Sequence, residues 1–154
     1  MSMSTRLTLH VTVRPIRPKL WRRIVVPAQI KLNRLHAVIQ AVIGAPDSPQ
    51  HFFVDRQRTV YADPSWKDYP KIMSCRLVSL EELFCRRGDR LTHFCGDDDE
   101  WEHSIEVLNV TKVTGPVGHA VCLGGSRRLL GMYGPGKRRF SIMLANRKLR
   151  EVGV

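Results

Sequence analysis

Residues 90–105 hold the side chains of this sequence best suited to chemistry. "RLTHFC" (90–95) and "WEHSIEVLNVTKV" (101–113) read as two strands joined by the acidic connection "GDDDE". Pairing Cys95 with Trp101 sets His93 opposite His103 across the ladder. Alternation along a strand then puts Cys95 on the same side of the sheet, two residues from His93. Two imidazoles and a thiol are ligands that zinc or a similar ion accepts, and His51 is a further candidate to approach them. A one-residue slip in register would break the cluster. The plain alternative is a cross-strand histidine pair with a cysteine in the core, beneath a solvated acidic turn. Asp97, Asp98, Asp99 and Glu100 repel one another, which raises their pKa values unless a cation or basic partner binds. A polar interaction surface built from His51, Asp97, Trp101 and His103 is the third use of the same hairpin.

The second chemical resource is positive charge. The formal charge is +11 and unevenly spread: the first acid is Asp47, and thirteen of the fourteen acids lie between Asp47 and Glu106. Arg6, Arg14, Arg17, Lys19, Arg22, Arg23, Lys31 and Arg34 precede them; Arg127, Arg128, Lys137, Arg138, Arg139, Arg147, Lys148 and Arg150 follow. Such a balance favours polyanions through counterion release. Arg22, Arg23, Lys137, Arg138, Arg139, Arg147 and Lys148 are the candidate nucleic-acid contacts. The two adjacent arginines of "KLWRRIVVP" (19–27) sit in a strand, so they point to opposite faces and do not form one phosphate clamp. One faces solvent or a polyanion, and the stem of the other supports packing near Trp21.

Other catalytic signatures are missing. The chain has no G-x-S-x-G, no Walker loop, no G-x-G-x-x-G and no H-E-x-x-H. Cys75, Cys85 and Cys95 fall at ten-residue intervals, with Cys122 beyond them, but no C-x-x-C occurs. They read as reduced thiols of a chain without an export signal. No cofactor is expected, and zinc is the ion to consider if one binds.

These residues need a scaffold. "LTLHVTVR" (7–14) alternates as a half-buried strand, and "KLWRRIVVP" pairs back on it. "KLNRLHAVIQAVIG" (31–44) carries Leu32, Leu35, Ile39, Val42 and Ile43 at helical steps and stops at Gly44; His36 flanks that stripe as a structural imidazole. "HFFVD" and "RTVYAD" read as short strands, and residues 64–71 as irregular. Ser79 and Glu82 form a capping box for a short helix over 77–84. Beyond Thr114 the pattern weakens until residues 138–152, which fit a basic amphipathic helix.

This order predicts an α+β fold in a single domain: a mixed or antiparallel sheet with one main helix packed on it, a β-grasp-like start, and a basic C-terminal segment. The expected division is a domain over residues 5–136 and a basic tail over 137–154 with the pattern of a helix. A length of 154 residues suits one domain. No apolar run approaches the ~20 residues of a membrane span, and "MSMSTRLTLH" lacks the apolar stretch of a signal peptide. The expectation is a cytoplasmic protein with no membrane partner.

Residues 7–44 strongly resemble the opening of the plasmid pRiA4b ORF-3-like family, whose members are also labelled TnpR-type passenger proteins of an insertion element. Pro18, Trp21-Arg22-Arg23, Val26-Pro27, Leu32, Leu35-His36 and Gly44 carry the likeness. Asp47, Ser48, His51 and Phe53 match its D-S-H-L-H-x-F segment, with Pro49 at the first histidine. Trp101, His103 and Ile105 match its W-x-H-x-I, and Cys122, Leu123, Gly125 and Arg127 its C-L-x-G-x-R. "LLGMYG" stands where the family has C-P-P-E-D, and Ala45 where it has tryptophan. The resemblance implies an α+β fold and a link to mobile elements; it implies no reaction, and no recombinase-type nucleophile is visible. The first reading is therefore a non-catalytic accessory or interaction module associated with mobile elements, with a protein partner. The second is a DNA- or RNA-binding protein, and the third a metal-dependent enzyme centred on His93, Cys95 and His103.

Overall fold

The alternation of Leu7, Leu9, Val11 and Val13 dictates the centre of the sheet: all four are buried on one face of strand β1 (Met3–Arg14). The computed structural model describes residues 3–14, 19–44, 50–63, 72–83, 86–96, 101–116, 118–126 and 141–153. β1 pairs antiparallel with β2 (Leu20–Pro27) on one side and with the long strand β7 (Trp101–Thr114) on the other. Between them in sequence lie α1 (Leu32–Ile43), β3 (His51–Val54), β4 (Val60–Ala62), β5 (Ile72–Ser74) and β6 (Arg90–Cys95). β8 (Val121–Gly125) and α2 (Ile142–Glu151) complete the chain.

The eight strands form one sheet in the order β5-β4-β3-β6-β7-β1-β2-β8. Among the described residues, only the β4–β5 pair is parallel. This overturns the expectation of one main helix on a sheet: the architecture is a large mixed sheet with two short helices. The β-grasp-like start goes with it, because β1 is flanked by antiparallel partners on both sides. The elements that sequence pattern missed are the edges. β5 has three residues and none of them is fully buried, so it carries no alternation to detect. β8 ends in two glycines and buries only Cys122.

α1 buries Leu32, Leu35, Val38, Ile39, Val42 and Ile43 against the sheet and ends where Gly44 adopts the left-handed conformation (φ 81°). Its start is not closed by a side chain. A 3-10 turn at Leu80–Glu82 lies against it instead: Leu32 N–H donates to Val78 C=O, and Leu80 N–H to Ile30 C=O. The Ser79–Glu82 capping box forms there as its residues predict. α2 sends Ala145 and Leu149 into the same core, so this part of the basic segment is packed on the sheet. The expected boundary between residues 136 and 137 lies outside the described residues. Asn146 fastens α2 to the edge: its Oδ1 accepts from Cys122 N–H (2.8 Å) and its Nδ2 donates to Cys122 C=O (3.1 Å). An edge strand covered in this way cannot template pairing with another chain along that stretch.

The arginine pair divides as alternation requires. Arg23 is exposed, with its guanidinium 5.5 Å from the Trp21 ring centroid. Arg22 is 1% exposed, its Nε donating to Val42 C=O (2.7 Å) and its Nη1 to Trp21 C=O (2.8 Å). Val42 lies in the last turn of α1, where carbonyls lack intrahelical donors and a cation is favoured. Burial lowers the Arg22 pKa to about 10, so the side chain stays charged at neutral pH. Cys75, Cys95 and Cys122 are free buried thiols. Among the described residues, no helix is long and apolar enough to cross a membrane.

Candidate metal centre

Three neighbouring strands and one helix bring the candidate ligands together. In the β6–β7 ladder Cys95 faces Trp101 and His93 faces His103. In the β3–β6 ladder His51 faces Cys95 and Phe53 faces His93. Because paired residues share a face, His51, His93, Cys95 and His103 all point to the side covered by α1. From above, His36 and Gln40 of α1 are buried onto them.

His93 is the hub. Its Nε2 lies 2.9 Å from His36 Nδ1, and its Nδ1 lies 2.9 Å from His103 Nδ1. The His36 ring stacks on His51 with centroids 3.7 Å apart and planes 4° from parallel. Cys95 Sγ is 3.7 Å from Gln40 Oε1, to which its thiol donates. One ligand atom each from His93, Cys95 and His103 fall within 4.8 Å of one another, and all three residues are buried.

The electrostatics of the cluster follow from burial. His93 and His103 are both 0% exposed. Loss of solvent holds His93 well below the usual imidazole range, and the neighbouring His103, His36 and His51 push the same way. Burial alone lowers His103 to about 4. Both rings are therefore neutral at pH 7, which is the form that binds metal. Burial pushes the Cys95 thiol up to about 12, so it is unreactive unless an ion displaces its proton.

A neutral ring has one N–H and one lone pair. His93 therefore donates to one neighbour and accepts from the other, and two proton arrangements satisfy the chain from His36 to His103. Either way His103 Nε2 is left over, buried and without a hydrogen-bond partner among the described residues. It carries the N–H when His93 donates to His103, and a lone pair when His103 donates to His93. Zinc binds imidazole nitrogen at about 2.0–2.1 Å and thiolate at about 2.3 Å, so a tetrahedral ion needs ligand atoms about 3.3–3.6 Å apart. The His93–His103 nitrogens at 2.9 Å must open by a few tenths of an ångström. Cys95, His93 and His103 supply three donors, and His36 and His51 adjoin them for a fourth.

The other candidate residues are spread over the molecule. Trp101 is half-buried at the edge of the core. Arg147 and Lys148 are exposed on α2. Arg22 lies inside, as described. Asp97, Lys137, Arg138 and Arg139 lie outside the described residues, as do Cys85 and the rest of the acidic turn. His36 and Gln40 are the functional candidates that sequence reasoning did not join to the hairpin. The signal was present: Leu32, His36 and Gln40 recur at four-residue steps, which places both polar side chains on the buried stripe of α1.

The sequence profile described as Plasmid pRiA4b ORF-3-like protein matches residues 5–131. A relative from Sinorhizobium fredii (strain NBRC 101917 / NGR234), described as the uncharacterized protein y4hQ, is 36% identical over 114 residues. The match covers 71% of this chain and 57% of the relative, so the chain spans little more than half of that relative's length. Among solved structures, a protein of unknown function, MM3350 from Methanosarcina mazei Go1, superposes with a TM-score of 0.72 at 20% identity. The superposition covers 98% of this chain and 82% of that one, and it shows a shared fold.

Proposed function

This chain belongs to the plasmid pRiA4b ORF-3-like protein family, and within it we propose that the domain is a non-catalytic accessory module that holds one transition-metal ion, zinc first, between α1 and strands β3, β6 and β7. The observation that carries this reading is the buried triad His93, Cys95 and His103, with ligand atoms within 4.8 Å of one another. A nitrogen–sulfur donor set favours zinc over magnesium or calcium. Catalytic zinc sites keep an open position for water or substrate, whereas structural ones are closed. The complete burial of both histidines supports the second kind, and it argues against a metal-dependent enzyme at this place. The setting of a mobile element is suggested by the plasmid in the family's name.

The test is metal content. Protein purified without chelator is expected to carry about one zinc per chain, and Cys95→Ser and His103→Ala to lose it. Cobalt(II) added to the stripped protein is expected to give a thiolate charge-transfer band that Cys95→Ser removes. Zinc at one hundred times its dissociation constant would raise stability by about 2.7 kcal/mol. Protein that comes out metal-free and shows no thermal shift with added zinc would end this reading.

A second reading, nucleic-acid binding, is supported by the exposure of Arg23, Arg147 and Lys148. It predicts fluorescence-anisotropy binding of DNA or RNA that falls steeply with salt. Neutralising Arg147 and Lys148 together would reduce the salt slope by about 2. Absence of binding at low salt would remove it.

A further inference from the structure

Away from the histidine cluster, a cleft of about 540 Å³ opens between the β2–β8 edge and α2. Its floor is apolar: Val25 and Val121 are paired across the ladder, and Leu123 follows on the same strand, 50% exposed. Arg6 from β1 and Arg150 from α2 line it as well. A smaller cleft of about 260 Å³ shares Pro27, Gly118 and His119 with it and adds Lys31 and Arg34. Among the described residues, no carboxylate lines either one.

The four cations differ in their engagement. Lys31 Nζ donates to Leu77 C=O at 3.2 Å, and Arg34 Nη2 donates to the carbonyls of Val152 (3.2 Å) and Gly153 (3.0 Å). These two hold chain segments in place. Among the described residues, the side chains of Arg6 and Arg150 make no ion pair or hydrogen bond. Two guanidiniums facing one concavity without a counter-charge repel each other, and an anion placed between them relieves that repulsion. The wall that carries Arg150 is fixed to the floor, because Asn146 one turn earlier on α2 bonds both backbone groups of Cys122.

We propose that this cleft binds one small organic anion: a carboxylate, phosphate or sulfonate head held by Arg6 and Arg150, on an apolar body laid over Val25, Val121 and Leu123. The volume lies within the ~300–1,000 Å³ of small-molecule sites, which combine an apolar lining with a few convergent polar groups. A nucleic-acid backbone would be met by a convex basic surface, and Arg147 and Lys148 on the outside of α2 provide that separately. The site is independent of the metal centre and stands or falls without it.

The experiment is a fluorescence titration of the full chain with 1-anilinonaphthalene-8-sulfonate, compared with the uncharged N-phenyl-1-naphthylamine. Saturable binding of the sulfonate is expected at one site. It weakens at least tenfold in the Arg6→Gln/Arg150→Gln double variant and in Leu123→Glu, which sets a carboxylate on the exposed floor. Arg147→Gln leaves it unchanged. Displacement by decyl phosphate or by decanoate supports the site, and the stronger competitor names the head group. The proposal is overturned if both cleft variants, shown to be folded by circular dichroism, bind the sulfonate like the parent chain, or if the uncharged probe binds as tightly. Displacement by inorganic phosphate as effective as by decyl phosphate would also overturn it, since no apolar body is then needed. So would displacement by a single-stranded oligonucleotide that depends on Arg6 and Arg150, which would make the cleft part of a polyanion surface.

Discussion

Taking the metal-free chain from pH 7 to pH 4 is expected to lower its unfolding free energy by about 3 kcal/mol through His103 alone. Burial holds this ring at about 4 in the folded protein, against 6.5 for a solvated imidazole. Above pH 6.5 both folded and unfolded states are neutral at this position, and the group adds no pH dependence. Below it the unfolded chain takes up a proton that the folded chain refuses, so stability falls until the pH reaches the folded value. His93 is lowered further by the same desolvation and by its neighbours, so its contribution has the same sign and extends to lower pH. Among the described residues, the groups facing this pair are His36 from α1, His51 from β3 and Cys95 from β6, and none of these is a carboxylate that would favour the charged rings. Urea unfolding at pH 7, 5.5 and 4 measures the loss, and an NMR titration of the His103 ring assigns it. A stability that is flat over that range, or a His103 ring that titrates near 6.5, would contradict the burial argument.

His93→Leu is expected to destabilise the protein by about 2–6 kcal/mol at pH 7. The substitution removes the hub and both of its hydrogen bonds at once and leaves His36 Nδ1 and His103 Nδ1 buried without the bonds they make at 2.9 Å. Each buried polar atom so abandoned costs about 1–3 kcal/mol. The cost belongs to the neighbours more than to His93 itself, which gives the prediction its second half. Adding His103→Leu to the His93→Leu chain removes one abandoned nitrogen, so the double variant costs less than the sum of the two single ones. Urea unfolding of the two single variants and the double one reads this directly. A His93→Leu chain within about 0.5 kcal/mol of the parent would show that the three rings are not coupled through hydrogen bonds.

Much of the candidate centre was legible because a strand records its own geometry. Alternation assigns faces, and pairing Cys95 with Trp101 brings His93 opposite His103, which is the register found. Helix α1, its stop at Gly44 and the Ser79–Glu82 capping box were legible for the same reason: each is written in residues three or four apart. The arginine pair was half legible. That Arg22 and Arg23 part company follows from strand geometry; which of them lies inside does not, since both faces of β2 carry apolar residues.

Long-range packing decided the rest. The three residues of β5 and the glycine-ended β8 become strands because β4 and β2 offer them a ladder, and no local pattern announces that. This is why a large mixed sheet with two short helices stands where a single helix on a sheet was expected. α2 joins the core through Ala145 and Leu149, and Asn146 fastens it to β8. His36 and Gln40 became part of the histidine cluster when α1 was laid across β6. By itself, then, the sequence determined which side chains share a face and which local turns and stops form. The tertiary structure alone decided which face is covered, by which helix, and therefore which imidazoles lose their water, because desolvation depends on segments far apart in the chain coming together.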